Sequence, residues 1–276
     1  MPTNTTTPCI VDAQIHLWTA ESVTDHRRAH RPDGFLAEEA LREMDAAGVE
    51  VALATPAVWA GAVNDYCLEA ANRYPDRFRV VARLPFDESS GVGELERLAD
   101  SPAVVAIRVS ATRNAAAVLD DPSTEWMWEA VERVGLPVTI FAPGALDTVR
   151  GLVERRPGMR VIVDHVGVPS HTTPESTAAA IAGAVGLADL SNVAVKVSAL
   201  PCASTGSFPF GDLDHHVAAV RRAFGTGRMM WGSDLTRLPC SYGEAVRHFD
   251  RAGWLFAARE RASIMGGTAK EWLRWV

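Results

Sequence analysis

Cysteine is scarce and widely spaced in this chain: Cys9, Cys67, Cys202 and Cys240 are its only four, and none belongs to a C-x-x-C pair. That spacing excludes a zinc ribbon and a dense disulfide framework, and it fits a reducing compartment. Basic charge is also in short supply. The 27 Lys and Arg are outnumbered by 34 Asp and Glu, for a formal charge of −7 and a pI near 5.6. A nucleic-acid surface needs a clustered basic face to hold phosphates, so no nucleic-acid partner is expected. Long apolar runs are missing too: the most apolar window, Val51 to Val63, is too short for a span and contains Pro56. The N-terminus lacks the basic region and apolar core of a secretory leader, so the expected location is the cytoplasm, away from any membrane. Low complexity is confined to the first eight residues, MPTNTTTP, read as a disordered or extended N-terminus.

What is present is ordinary globular composition, 47% hydrophobic and 22% charged over 276 residues, enough for one large core. Short β-branched runs alternate with longer amphipathic ones, the pattern of repeated βα units around a parallel sheet. Eight runs read as buried strands: Ile10 to His16, Val49 to Thr55, Arg79 to Leu84, Val104 to Val109, Pro137 to Phe141, Val161 to Asp164, Val193 to Val197 and Arg228 to Gly232. Between them, Leu36, Ala40, Met44 and Ala47 form one helical stripe closing before Gly48, and Met127, Val131 and Val134 repeat the spacing before Gly135. A final helix over roughly Ala257 to Leu273 completes the eighth unit. No linker interrupts the series, and the first strand ends in AQIHLW without a Gly-rich phosphate loop. The expected fold is a single-domain (β/α)8 TIM barrel spanning residues 1–276.

In a barrel the strand ends share one mouth, so polar residues ending apolar strands are the place to look for chemistry. The first strand ends Asp12-Ala13-Gln14-Ile15-His16, and a period of two sends Asp12, Gln14 and His16 to one face. The sixth, VIVDHVG, brings Asp164 and His165 to its exit. The eighth, RMMWGSD, brings Asp234 to the rim beside the first strand, its neighbour in a closed barrel. Arg108 sits inside the apolar run VVAIRVS and must be paired, either by a substrate carboxylate or by an internal Asp or Glu. Lys196 in VAVKVSAL either binds an anion inside or snorkels outside. Ser198 and Thr55 are further strand-end candidates, and Trp59 and Trp18 could wall a pocket. Residues 21–33 form a long polar loop placed to cover the mouth, with His26 and His30 able to supply a ligand or acid. The pair His215-His216 sits at a helix start and reads as structural.

Together DAQIHLW, MDAAGVEVALATP, NDYCLEAANRYPDRFRVVARL, AIRVS, VIVDHVG, NVAVKVSAL and RMMWGSD resemble the amidohydrolase superfamily, in the amidohydrolase-related branch that holds pyrone-dicarboxylate and sugar lactonases beside non-oxidative decarboxylases. The resemblance covers nearly the whole chain. It implies His16, His165 and Asp234 as catalytic residues, with Asp234 handling the attacking water, and a divalent zinc or manganese on His16 and Asp234. Two positions depart from the family pattern. Gln14 stands where the first His of a His-x-His pair belongs, and the fifth-strand His of the metal-dependent decarboxylases is missing, since LPVTIF ends in Phe141. An amide oxygen is a poor zinc ligand and Phe is none, so metal-independent catalysis is favoured. The leading expectation is a lactonase or related C–O hydrolase acting on a small carboxylated or hydroxylated ring, with Asp234 as general base and Arg108, Lys196, Ser198, Thr55, Trp59 and Gln14 binding an anionic substrate. The alternatives are a metal-dependent decarboxylase of an unsaturated or aromatic acid, and a barrel repurposed for a non-hydrolytic step or for ligand binding. Association into a homo-oligomer is compatible with this size.

Overall fold

The computed structural model describes residues 9–25, 30–31, 33–60, 63–251 and 256–275; the N-terminal segment 1–8 and His26 lie outside the described residues. The core is one nine-stranded sheet in the order β2-β1-β3-β4-β5-β6-β7-β8-β9. Its strands are β1 (Val11–Thr19), β2 (Gly34–Phe35), β3 (Val51–Pro56), β4 (Phe78–Arg83), β5 (Val104–Ser110), β6 (Val138–Phe141), β7 (Val161–Val163), β8 (Val193–Ser198) and β9 (Met229–Gly232). All pairs are parallel except β1 with the short β2. The eight parallel strands fall on the eight expected runs, because each is a short, largely apolar stretch that can be buried on both faces. The run curls until its ends meet: Asp234 N–H donates to Gln14 O at 2.8 Å, and His16 N–H donates to Leu235 O at 3.2 Å.

Helices cover the outside: α1 (Ala37–Ala47), α2 (Asp65–Arg73), α3 (Glu88–Ala99), α4 (Ala116–Leu119), α5 (Glu125–Val134), α6 (Leu146–Arg155), α7 (Pro174–Val185), α8 (Asp214–Phe224), α9 (Tyr242–Arg251), α10 (Ala258–Ala262) and α11 (Thr268–Trp272). The stripe of α1 buries Ala37, Ala40 and Met44, and the helix stops at Gly48, whose φ of 74° suits a residue without a Cβ. No helix among the described residues is long and apolar enough to cross a membrane. The final segment departs from expectation. Instead of one helix over 257–273, a π-helical turn at Ser263–Gly267 separates α10 from α11, with Gly266 at φ 177°. A Cβ at Gly266 would lie 2.4 Å from the Cys9 carbonyl, so this close approach to the start of β1 admits only glycine.

Two apolar layers result. Ile15, Val80, Ile107, Val161, Val195 and their neighbours pack against the helices. Val11, Ala13, Leu53, Val81, Ile162, Ala194 and Met230 converge on the inner side of the curl, where Trp272 and Leu273 close one end. The other end is where the strands exit, and it carries the polar side chains.

Candidate active site

The floor of the mouth is shaped by an irregularity in β1. Its register against β3 shifts between Asp12 and Ile15, which breaks the alternation of faces inside the strand. Ala13 packs with the inner cluster, and Gln14 and His16 also point inward, whereas Asp12 turns toward α9. The expectation that Asp12, Gln14 and His16 share a face is therefore corrected: one extra residue in the bulge changes the phase. Asp12 is fully buried, its Oδ1 accepting the backbone N–H groups of Gln14 and Ser233, both at 2.9 Å, and its Oδ2 the Tyr242 hydroxyl. Burial pushes its carboxyl up to about 6 against the pull of these donors. Gly232 makes the seam possible, since a Cβ there would lie 3.1 Å from both Gln14 N and Ser198 Cβ.

Behind the floor lies a buried charge network. Asp164, with no exposed surface, takes Lys196 Nζ at 3.0 Å on Oδ1 and Arg108 Nε at 2.7 Å on Oδ2. Burial alone would raise its carboxyl, but Lys196 and Arg108 outweigh that and hold it below the usual carboxylate range. Lys196 is itself pushed down by burial, against the attraction of Asp164. Its second partner is Gln14 Oε1, at 2.8 Å. Of the two expected anchors for a substrate anion, Lys196 is thus enclosed and paired inside the protein. Arg108 spends Nε on Asp164 and still reaches the mouth.

His16, His165 and Asp234 converge at the opening. His16 Nδ1 donates to the Thr55 carbonyl at 3.0 Å, and its Nε2 lies 3.2 Å from Asp234 Oδ1. The Thr55 hydroxyl is fully buried and has no hydrogen-bond partner among the described residues. His165 Nδ1 meets the Ser198 hydroxyl at 2.8 Å, and its ring stands edge-on to Phe141. Burial pushes the His165 pKa down, opposed by Asp234 and Asp164. For Asp234, burial pushes the carboxyl up, but the His165 and His16 imidazoles and Arg108 together bring it below the usual carboxylate range. Asp234 is ionised at neutral pH.

Backbone conformation marks the same residues. His165, Val166, Ala199 and Asp234 all have positive φ, between 52° and 60°, just past the ends of β7, β8 and β9. A β-branched Val166 in that region is strained, and such strain concentrates where a site fixes its geometry.

The mouth encloses about 930 Å³, part of it open to solvent, and beyond the residues above it is lined by Ser110, Thr112, His171 and Arg237. A side pocket of about 380 Å³ opens past His165 and Asp234, over Ser198 and Leu200. Arg237 donates to the Ser170 hydroxyl at 3.1 Å and forms no ion pair among the described residues. It was missed in the sequence because it sits in a loop with no periodic signal; its place three residues after Asp234, at a strand exit, was the available cue. Trp59 lines the mouth, with Trp18 edge-on at 5.2 Å. The His30 ring stands edge-on to Trp59 at 5.1 Å and bonds the Thr236 hydroxyl. The His215 and His216 rings meet at the start of α8, their centroids 3.8 Å apart and their planes tilted by 39°.

A resident zinc or manganese needs three or more convergent lone pairs. Among the described residues no group of three His, Cys, Asp or Glu side chains offers them. At the position of the departed first-strand His, Gln14 turns its oxygen to Lys196 and its NH2 toward His16 Nε2, presenting hydrogens where a cation requires lone pairs. His16 and Asp234 alone do not complete a site, so the residues present do not fit the metal.

Against known proteins, the sequence profile described as Amidohydrolase matches residues 11–275. The chain belongs to the amidohydrolase family. This amidohydrolase-family enzyme is 25% identical over 285 residues to an L-fucono-1,5-lactonase of Burkholderia ambifaria, covering 96% of this chain and 95% of the relative. Its fold matches a probable 2-pyrone-4,6-dicarboxylic acid hydrolase from Acinetobacter baumannii with citric acid bound, at TM-score 0.78 and 18% identity over 95% of this chain and 98% of that one. It also matches a 5-carboxyvanillate decarboxylase from Sphingomonas paucimobilis, at TM-score 0.72 and 17% identity over 96% and 98% of the two chains.

Proposed function

We propose that this chain is a complete single-domain (β/α)8 barrel that hydrolyses the ring ester of a small lactone bearing carboxylate or hydroxyl groups, without a resident metal. The observation that carries this reading is the ionised Asp234 carboxylate 3.2 Å from His16 Nε2, in a mouth that also holds His165, Arg108 and Arg237. The likeness to a lactonase over nearly the full length of both chains supports it. Citric acid in the pyrone-dicarboxylic acid hydrolase accords with an anionic substrate in this fold.

Asp234 takes a proton from water as the water oxygen attacks the lactone carbonyl carbon. A carboxylate held below its usual range keeps a proton poorly, and His16 Nε2 is near enough to receive it next. Negative charge develops on the carbonyl oxygen, faced by the Arg108 and Arg237 guanidiniums and His165. Collapse breaks the ring C–O bond, and the leaving alkoxide recovers the proton to give the open hydroxy acid. General-base help of this kind contributes about a hundredfold to ten-thousandfold, enough for an activated ester. The metal-dependent decarboxylase reading is disfavoured by Gln14, where the family pattern has a His, and by Phe141, where the metal-dependent decarboxylases have one.

The test is turnover of a panel of sugar lactones and carboxylated pyrone lactones by wild type and Asp234→Asn. Wild type should open at least one class. The variant should lose at least about a hundredfold in kcat, with circular dichroism and thermal midpoint retained. Unchanged turnover in Asp234→Asn, or no turnover of any lactone by wild type, overturns the proposal.

A further inference from the structure

Arg108 reaches the mouth along a path that fixes its guanidinium from two sides. Its stem is buried on β5, and Nε donates to Asp164 Oδ2 at 2.7 Å. Lys196 holds the other carboxylate oxygen at 3.0 Å and so fixes Asp164 itself. The second support is Phe141. Strand β6 lies between β5 and β7 in the sheet, and Arg108 Cζ sits over the face of the Phe141 ring, 5.9 Å from its centroid. The His165 ring meets Phe141 edge-on at 5.1 Å, which braces it. A carboxylate at Nε and an aromatic ring beneath Cζ together restrict the turning of a planar group. Neither contact uses the terminal NH2 groups, which have no hydrogen-bond partner among the described residues. A histidine at position 141 would act differently: neutral, it would draw an Arg108 N–H to its lone pair, and protonated, it would repel the guanidinium.

We infer that Asp164 and Phe141 are positioning residues that preset the Arg108 guanidinium, leaving its terminal N–H groups free in the mouth for the negative charge that develops on the substrate carbonyl oxygen. Donors already in place need no reorganisation when that charge appears, so the hold acts on turnover rather than on ground-state binding. The catalytic part of this inference rests on the hydrolytic reading above; the fixed guanidinium does not. Phe141 is then a working part of the site, at a position where the metal-dependent decarboxylases have a His.

The experiment is a double-mutant cycle on the lactone that wild type opens fastest, joined to an arginine side-chain ¹H–¹⁵N measurement on the labelled full chain. Phe141→Leu keeps an apolar filling but removes the ring face, and Arg108→Met removes the guanidinium while Lys196 stays on Asp164. In the wild-type background Phe141→Leu should lower kcat about tenfold with KM little changed. In Arg108→Met the same substitution should change kcat by less than about twofold, because the group it acts through is gone. Equal losses in both backgrounds would reduce the ring to packing and overturn the inference. The Arg108 Nε–H signal is identified by its loss in Arg108→Met. In wild type it should exchange with water at least about tenfold more slowly than that of the exposed Arg133, and faster in Asp164→Asn and in Phe141→Leu. An Arg108 Nε–H that exchanges like Arg133 in wild type overturns the inference whatever the turnover. Should Asp164→Asn not fold, the cycle and the wild-type and Phe141→Leu exchange rates decide. The expected exchange rates together with no lactone turnover would leave the fixed guanidinium standing and remove the hydrolytic reading.

Discussion

The Tyr242 hydroxyl donates to Oδ2 of Asp12 at 2.6 Å, a buried contact between positions 230 residues apart. The same carboxylate holds the backbone of Gln14 and Ser233, so one side chain joins the β1 bulge, the exit of β9 and helix α9. Burial lifts Asp12 from an ordinary 3.8 to about 6, so between those values the native state holds a proton that the unfolded chain has released. Its contribution to stability is complete below 3.8 and lost as pH rises through 6. Relative to Asp12→Asn, wild type should gain about 2 kcal/mol between pH 7 and pH 4, read from urea unfolding at a series of pH values. His165, lowered by burial, acts in the opposite direction but is common to both proteins and cancels. A stability difference that is flat with pH would contradict the assignment.

Arg237 faces the mouth with a hydroxyl partner and no ion pair among the described residues, while Asp164 occupies Arg108 Nε and Lys196. Arg237→Met should therefore raise KM for a carboxylated lactone about tenfold to a hundredfold, the range of a hydrogen bond to a charged group. KM for an uncharged lactone should change little. Steady-state kinetics on a matched pair of substrates measures the difference, and equal effects on both would remove Arg237 as the anion anchor.

Equilibration with zinc or manganese followed by desalting should leave well under one equivalent of metal by elemental analysis. The reason is the orientation of Gln14, whose hydrogens face His16 Nε2. Retention of one equivalent, abolished by His16→Ala, would make the mouth a metal site and return the lyase reading to consideration.

The strands were legible because burial on both faces leaves a short, largely apolar run, and all eight parallel strands lie where such runs occur. The convergence of His16, His165 and Asp234 followed from their places at strand ends. The facing of Asp12 did not, because a bulge alters phase without altering composition. For Arg108, a substrate carboxylate and an internal one stood as equal alternatives. Which acid stands opposite β5 across the inner side is a fact of three dimensions, and Asp164 takes that place. Arg237 and His171 come from loops, where no periodicity carries information. The π-helical turn had one cue, the Gly266-Gly267 pair, inside an otherwise helical pattern.

The seam between β1 and the end of β9 has a consequence for how the molecule reaches its working form. Ser233 and Asp12 are 221 positions apart, so their contact is among the most non-local in the chain, and contacts of that kind form late and slowly. Until it forms, β1 offers a bare edge to any other strand it meets, including that of another copy. The backbone bonds that complete the seam, Asp234 to Gln14 and Leu235 to His16, are also those that set Asp234 beside His16. A partly folded chain would thus be both sticky and inert, and turnover would count finished molecules.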